Sequence, residues 1–171
     1  MVPSFGSAGT RAPRPAASCG VVMNGAEIFR NAVVRMGEAA MQVANDVGWS
    51  VDDIDLLIPH QANKRIIDAT MRRLEIDEDK VFINVHKYGN TSSATIPVAL
   101  AEALEEGRVP AGGNIVFAAF GGGLSWAAAA VRWGDRVTPI ATSDAEIPDF
   151  EGTVFDILQP SLDFFGVGVK Q

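Results

Sequence analysis

The sequence predicts an α/β fold: a layered structure built on a mostly parallel, mixed sheet with an antiparallel strand at its end. Two patterns lead there. Segments with helical apolar periodicity alternate with short continuous apolar runs, as sheet strands connected by helices do. The last two apolar runs then follow one another directly across Gly121, Gly122 and Gly123, a natural tight reversal. Composition agrees, since 171 residues suffice for one substantial core and 47% hydrophobic with 20% charged residues is ordinary for a globular chain.

The elements follow in order. Phe29, Val33, Met36, Ala40, Val43 and Val47 recur at alternating spacings of four and three, which predicts a helix over about 26–47 stopped by Gly48. Ser50 with Asp53 reads as a short capped turn, and IDLLI at 54–58 as a buried strand ended by Pro59. NKRIIDATMRRL at 63–74 places Ile66, Ile67, Thr70, Met71 and Leu74 on one face and its basic residues on the other, a second helix. VFINV at 81–85 reads as another strand. A third helix, about 93–104, ends at Gly107. NIVFAAF and LSWAAAAVRW are the final pair of strands. The third helix shows no polar stripe until Glu102 and NIVFAAF is apolar throughout, so both are expected to need cover on nearly all sides.

Composition divides the chain into three parts. Residues 1–20 are rich in Gly, Pro, Ala and Ser and read as a flexible leader, in which Arg11 and Arg14 without an acid leave a transit peptide open. Residues 21–133 carry the periodic signal. Residues 134–171 form an acidic extension broken by Pro139, Pro148 and Pro160, loosely ordered or docked. A net charge of −7 gives no general attraction to nucleic acid or anionic membrane, and no run is long enough to span a bilayer, so a cytoplasmic protein is expected. The single cysteine, Cys19, cannot form an internal disulfide, and no Cys/His spacing matches a metal site. Neither GxxxxGK[ST] nor GxGxxG is present.

Open α/β sheets bind ligands beyond the carboxyl ends of their strands. His60 follows one strand end, Asn90 lies beyond the next, and the glycine triplet follows a third. Read singly, His60 is a hydrogen-bonded histidine at a strand-to-helix turn, Gly89 with Asn90 a turn pair, and the glycines a hairpin. Together and in this order, PHQAN at 59–63, YGNTSSA at 88–94 and AFGGGLSW at 119–126, preceded by MNGAEIF, resemble the carboxyl half of β-ketoacyl-acyl-carrier-protein synthase III, of the thiolase superfamily. The resemblance spans about residues 22–133 and implies half of a thiolase-like fold.

That resemblance implies a decarboxylative condensation: an acyl group moves from coenzyme A to a cysteine, and the carbanion from a malonyl thioester joins it. His60 and Asn90 would donate hydrogen bonds to the thioester oxygen, and the Gly122 N–H would serve an oxyanion hole. What fixes the His60 tautomer therefore matters. Both thioesters, acyl-CoA and malonyl-acyl carrier protein, are substrates, and no resident cofactor is implied. Gln61, Ala62, Asn63, Lys64 and Arg65 match the family's carrier-docking segment, with Arg65 facing the acidic carrier and Asn63 near the pantetheine arm. Lys64, Arg72 and Arg73 also suit a plain solvated face. The family's nucleophilic cysteine belongs to the amino half, and Cys19 reads as a bystander thiol. Three readings follow: half of a condensing enzyme, either completed by a separately encoded amino-terminal half in a homo- or hetero-oligomer or truncated from a longer chain; a non-catalytic partner subunit; or a stand-alone malonyl-thioester decarboxylase.

Overall fold

A computed structural model describes residues 23–138, 140, 141, 145, 149 and 151–164. The leader with Cys19, and Pro139 and Pro148 of the extension, lie outside the described residues. The chain divides into two units, up to Ile140 and from Ala141 onward.

In the first unit, helix α1 (Gly25–Asp46) starts where the Asn24 side chain accepts the Glu27 N–H, and stops before Gly48 at φ +79°, a left-handed value that glycine adopts freely. Its buried stripe is Ala32, Met36, Ala40 and Ala44, with Gly37 beside them. Met36 and Ala40 of the expected face belong to this stripe, Phe29, Val33 and Val43 are half-buried against the same core, and Val47, 51% exposed, is the member left outside. Small side chains let the helix lie close to what it covers.

The Ser50–Asp53 turn is present, with the Ser50 N–H and hydroxyl both donating to Asp53 Oδ2 at 2.8 and 2.6 Å. These two bonds lower the Asp53 pKa. Strand β1 (Leu56–Pro59) follows, and then α2 (Lys64–Leu74), capped by Asn63 and burying all five residues expected of it.

The expected strand at 81–85 does not form. Val81 makes one isolated parallel bridge to Leu57, and after Phe82 N–H donates to Leu57 O the chain turns into a short helix, α3 (Val85–Tyr88). The physical reason is Gln61, 1% exposed, whose amide stands in for a neighbouring strand. Its Nε2 donates to Pro59 O (2.8 Å) and Phe82 O (3.1 Å), and its Oε1 accepts the N–H groups of Asn84 (3.0 Å) and Val85 (3.2 Å). With those groups satisfied by a side chain, no ladder is needed.

Helix α4 (Thr95–Glu105) ends before Gly107 at φ +67°, and β2 (Asn114–Gly121) and β3 (Ser125–Arg132) complete the sheet. Strand order is β1-β2-β3, parallel between β1 and β2 in the register Leu56 to Ile115, and antiparallel between β2 and β3 in the register Gly121 to Ser125. Strand alternation sends Leu57, Val116, Ala118 and Phe120 into a core with α1 and α2, and Leu56, Ile58 and Ile115 into a second core with Ala99 and Ala103 of α4. The sheet thus lies between two helical layers.

Among the described residues no helix is long and apolar enough to cross a membrane. In the second unit, α5 (Val154–Phe164) begins with a reciprocal cap, Thr153 N–H donating to Asp156 Oδ2 (2.6 Å) and Asp156 N–H to Thr153 Oγ1 (3.4 Å).

Candidate active site

The end of β1 sets the site. His60 N–H donates to Ala118 O (2.7 Å), one step past the last β1–β2 pair, so its backbone is fixed by the sheet. The side chain reaches the opposite helical layer, where Nδ1 lies 2.5 Å from Oγ1 of Thr95, the first residue of α4. His60 lines a cavity of about 320 Å³ together with Ser92, Ser93, Phe120, Gly121 and Ser125. Partial burial lowers its pKa from the ordinary 6.5, which favours the neutral imidazole.

Asn90 sits in the loop after α3. Its Oδ1 accepts the Ser92 N–H at 2.9 Å, which assigns the oxygen to the loop and leaves Nδ2 as the outward donor. The loop holds Ser92 at φ +57°, a left-handed value uncommon for serine. Glu102 of α4 anchors the preceding turn, accepting from Asn84 Nδ2 (2.8 Å), Lys87 Nζ (2.5 Å) and Tyr88 Oη (3.4 Å). Desolvation works to raise the Glu102 pKa, but the bonds from Lys87 and Asn84 outweigh it and the net shift is downward.

Gly122 lies in the β2–β3 reversal, where its carbonyl accepts the Ser125 hydroxyl at 3.3 Å. Gly121 and Ser125 on either side line the cavity, as do Ser92 and Ser93 beyond Asn90; neither Asn90 nor Gly122 is itself in the lining. The three segments the sequence singled out therefore border one cavity, with His60 as the member that faces it directly.

The 61–65 segment divides. Gln61 does not face outward to a carrier: its amide is committed to the chain, as described above. Ala62 is half-buried against the core. Asn63 is exposed and caps α2 through Arg65 N–H (2.8 Å), and Lys64 pairs with Asp68 at 2.7 Å, which raises the Lys64 pKa. Arg65 is exposed with its guanidinium 5.9 Å from the centre of the Phe29 ring and no carboxylate partner among the described residues. Arg73 reaches Glu38 at 3.6 Å. Among the described residues no cluster of His, Cys, Asp and Glu could hold a metal ion.

Thr95 and the clamp role of Gln61 were missed from sequence. The signal for Gln61 was its place immediately after His60. Nothing local marks Thr95, which is 35 residues from its partner.

Residues 44–133 match the family model described as 3-oxoacyl-[acyl-carrier-protein] synthase III C terminal. A Vibrio cholerae protein named beta-ketoacyl-[acyl-carrier-protein] synthase III 2 is 45% identical over 162 residues, 95% of this chain and 45% of that relative. This similarity takes in parts of both flanks, further than the motifs alone suggested. A Listeria innocua beta-ketoacyl-[acyl-carrier-protein] synthase III is 52% identical over 114 residues, 67% of this chain and 36% of the relative. The crystal structure of 3-oxoacyl-(acyl carrier protein) synthase III from Pseudomonas aeruginosa superposes with a TM-score of 0.67 at 39% identity, covering 73% of this chain and 40% of that one. The chain spans less than half the length of the relatives it matches.

Proposed function

The chain belongs to the 3-oxoacyl-[acyl-carrier-protein] synthase III carboxyl-terminal family and has its thiolase-like fold, and on that premise we propose that it supplies the histidine and asparagine of a decarboxylating, carbon–carbon bond-forming site. The observation that carries this is His60, fixed at a strand end and facing the cavity bordered by the Asn90 loop and the Gly122 reversal.

In this reading a malonyl thioester enters the cavity with its carbonyl oxygen toward the ring of His60 and Nδ2 of Asn90. The bond to the carboxylate breaks, carbon dioxide leaves, and the electron pair develops as an enolate whose negative charge lies on the thioester oxygen. Two neutral N–H donors stabilise that charge without forming an ion pair with the carboxylate of the ground state, so the stabilisation appears where charge develops. The enolate carbon then attacks an acyl thioester, the thiolate of the acyl-bearing cysteine departs, and in this reading the Gly122 N–H serves the tetrahedral oxyanion. The cysteine is proposed to come from the part of the relatives' length that this chain does not span. Acyl-CoA supplies the acyl group, and the acyl carrier protein docks at Arg65, whose charge no carboxylate of the described chain neutralises.

The test is carbon dioxide release from malonyl-acyl carrier protein by the chain, with and without the amino-terminal remainder of the Vibrio cholerae relative. His60→Ala is expected to reduce release by a factor on the order of 10² to 10³, the usual cost of losing one such donor. Release that is unchanged in the variant, or none in either mixture with folded protein, overturns the reading.

A further inference from the structure

The donor role of His60 requires its proton on the nitrogen that substrate can reach, and a neutral imidazole has two tautomers. The sheet fixes the backbone of His60 through Ala118 O, and the ring meets Thr95 at 2.5 Å. Thr95 is 2% exposed, and its hydroxyl has one proton and, among the described residues, no acceptor other than Nδ1. Were the ring proton on Nδ1, it would donate to Oγ1 and strand the threonine proton in the interior, the arrangement that buried polar groups avoid. With the proton on Nε2, Nδ1 accepts from the hydroxyl and both groups are satisfied.

We propose that Thr95 is a positioning residue: its buried hydroxyl donates to Nδ1 of His60, holds the proton on Nε2, and so keeps Nε2–H as the donor available to the cavity. Thr95 needs no contact with substrate to do this. It is the first residue of α4, a helix that its buried Ala99 and Ala103 tie into the core with Leu56 and Ile58 of β1, so the orientation is set by the same packing that holds the layers together. The purpose of the donor rests on the function proposed above, but the tautomer does not.

The chain has two histidines, which makes the experiment direct. Nitrogen-15 correlation spectra of the imidazole rings, recorded on the full chain without substrate above the titration range, separate His60 from the exposed His86. For His60 the expected pattern is a protonated, pyrrole-like Nε2 and an unprotonated, pyridine-like Nδ1. In Thr95→Val, which keeps the shape and removes the hydroxyl, the two nitrogen shifts should move toward each other as the second tautomer becomes populated. Thr95→Ser should restore the original pattern, and His86 should not change in either variant. A proton on Nδ1 in the unsubstituted chain overturns the proposal, as does a Thr95→Val spectrum identical to it. Should Thr95→Val fail to fold, Thr95→Ala removes the hydroxyl in its place, and a proton on Nδ1 in the unsubstituted chain still overturns the proposal. Failure of the carbon dioxide assay with the expected tautomer would count against the function and leave the positioning role standing.

Discussion

The side-chain oxygen of Asn90 is engaged by the Ser92 N–H, and this single bond decides which end of the amide is offered outward. Asn90→Asp is therefore the informative change: it keeps an oxygen for the loop and replaces the donor with a negative charge. Carbon dioxide release should fall at least as far as on losing an oxyanion-hole donor, about 10² to 10³ fold, while the circular dichroism spectrum is unchanged. His60 gives a second prediction at this scale, because burial lowers its pKa in the folded chain. The unfolded chain then binds the proton more readily, so stability is fully present above the ordinary value of 6.5 and is lost as pH falls from there toward the depressed folded value. Urea unfolding between pH 8 and pH 5, ordinary assay conditions for about one unit either side of a histidine titration, should show this decline, and His60→Gln should flatten it. The same depression keeps the imidazole neutral, and a donor through one nitrogen only, to lower pH than a free histidine would allow.

Gln61 acts on an element rather than on a reaction. It satisfies four backbone groups at once, joining the end of β1 to the turn that carries Asn84 and Val85, and through that turn it sets where the Asn90 loop begins. Gln61→Leu has nearly the right volume but leaves those groups unpaired in the interior, at about 1–3 kcal/mol for each one that water cannot reach. The urea midpoint should drop sharply, and amide exchange at Asn84 and Val85 should accelerate before the rest of the chain opens. Equal protection at those two amides in the variant would show that the clamp is not what holds the turn. VFINV reads as a strand for the same reason: its apolar residues are buried or half-buried as a strand's would be, but beyond the Phe82 N–H bond to Leu57 O, the Phe82 carbonyl and the Asn84 and Val85 N–H groups pair with the Gln61 side chain. On α1 the periodicity located the helix and most of its inward face, with Ala32 and Ala44 buried beside it; Val47 is left outside. In the extension Thr153 and Asp156 cap α5, and Pro160, one of the prolines expected to break the segment, falls inside that helix.

At the scale of the whole first unit, the two sides of the sheet are covered unequally. Helix α1 packs over the β2 and β3 side chains Val116, Ala118, Phe120, Ala128 and Ala130, whereas α4 packs against β1 and the near part of β2. Ala127 and Ala129 on β3 are exposed, and so are Pro97 and Ala101 on the outer side of α4. Apolar surface left open in this way favours association. Sedimentation of the chain should show self-association that weakens in the Ala101→Lys, Ala129→Lys double variant; a monomer at all concentrations would refute it. The sequence by itself determined the α/β class, the order of most elements, the buried face of α2 and the three segments that border the cavity, because these depend on periodicity and on short motifs whose residues are neighbours in the chain. Only the tertiary structure decided that 81–85 is not a strand, that Gln61 faces inward, and that Thr95 meets His60. Each of those depends on a hydrogen bond or a packing contact between residues far apart in sequence, and such partners become neighbours only when the layers close.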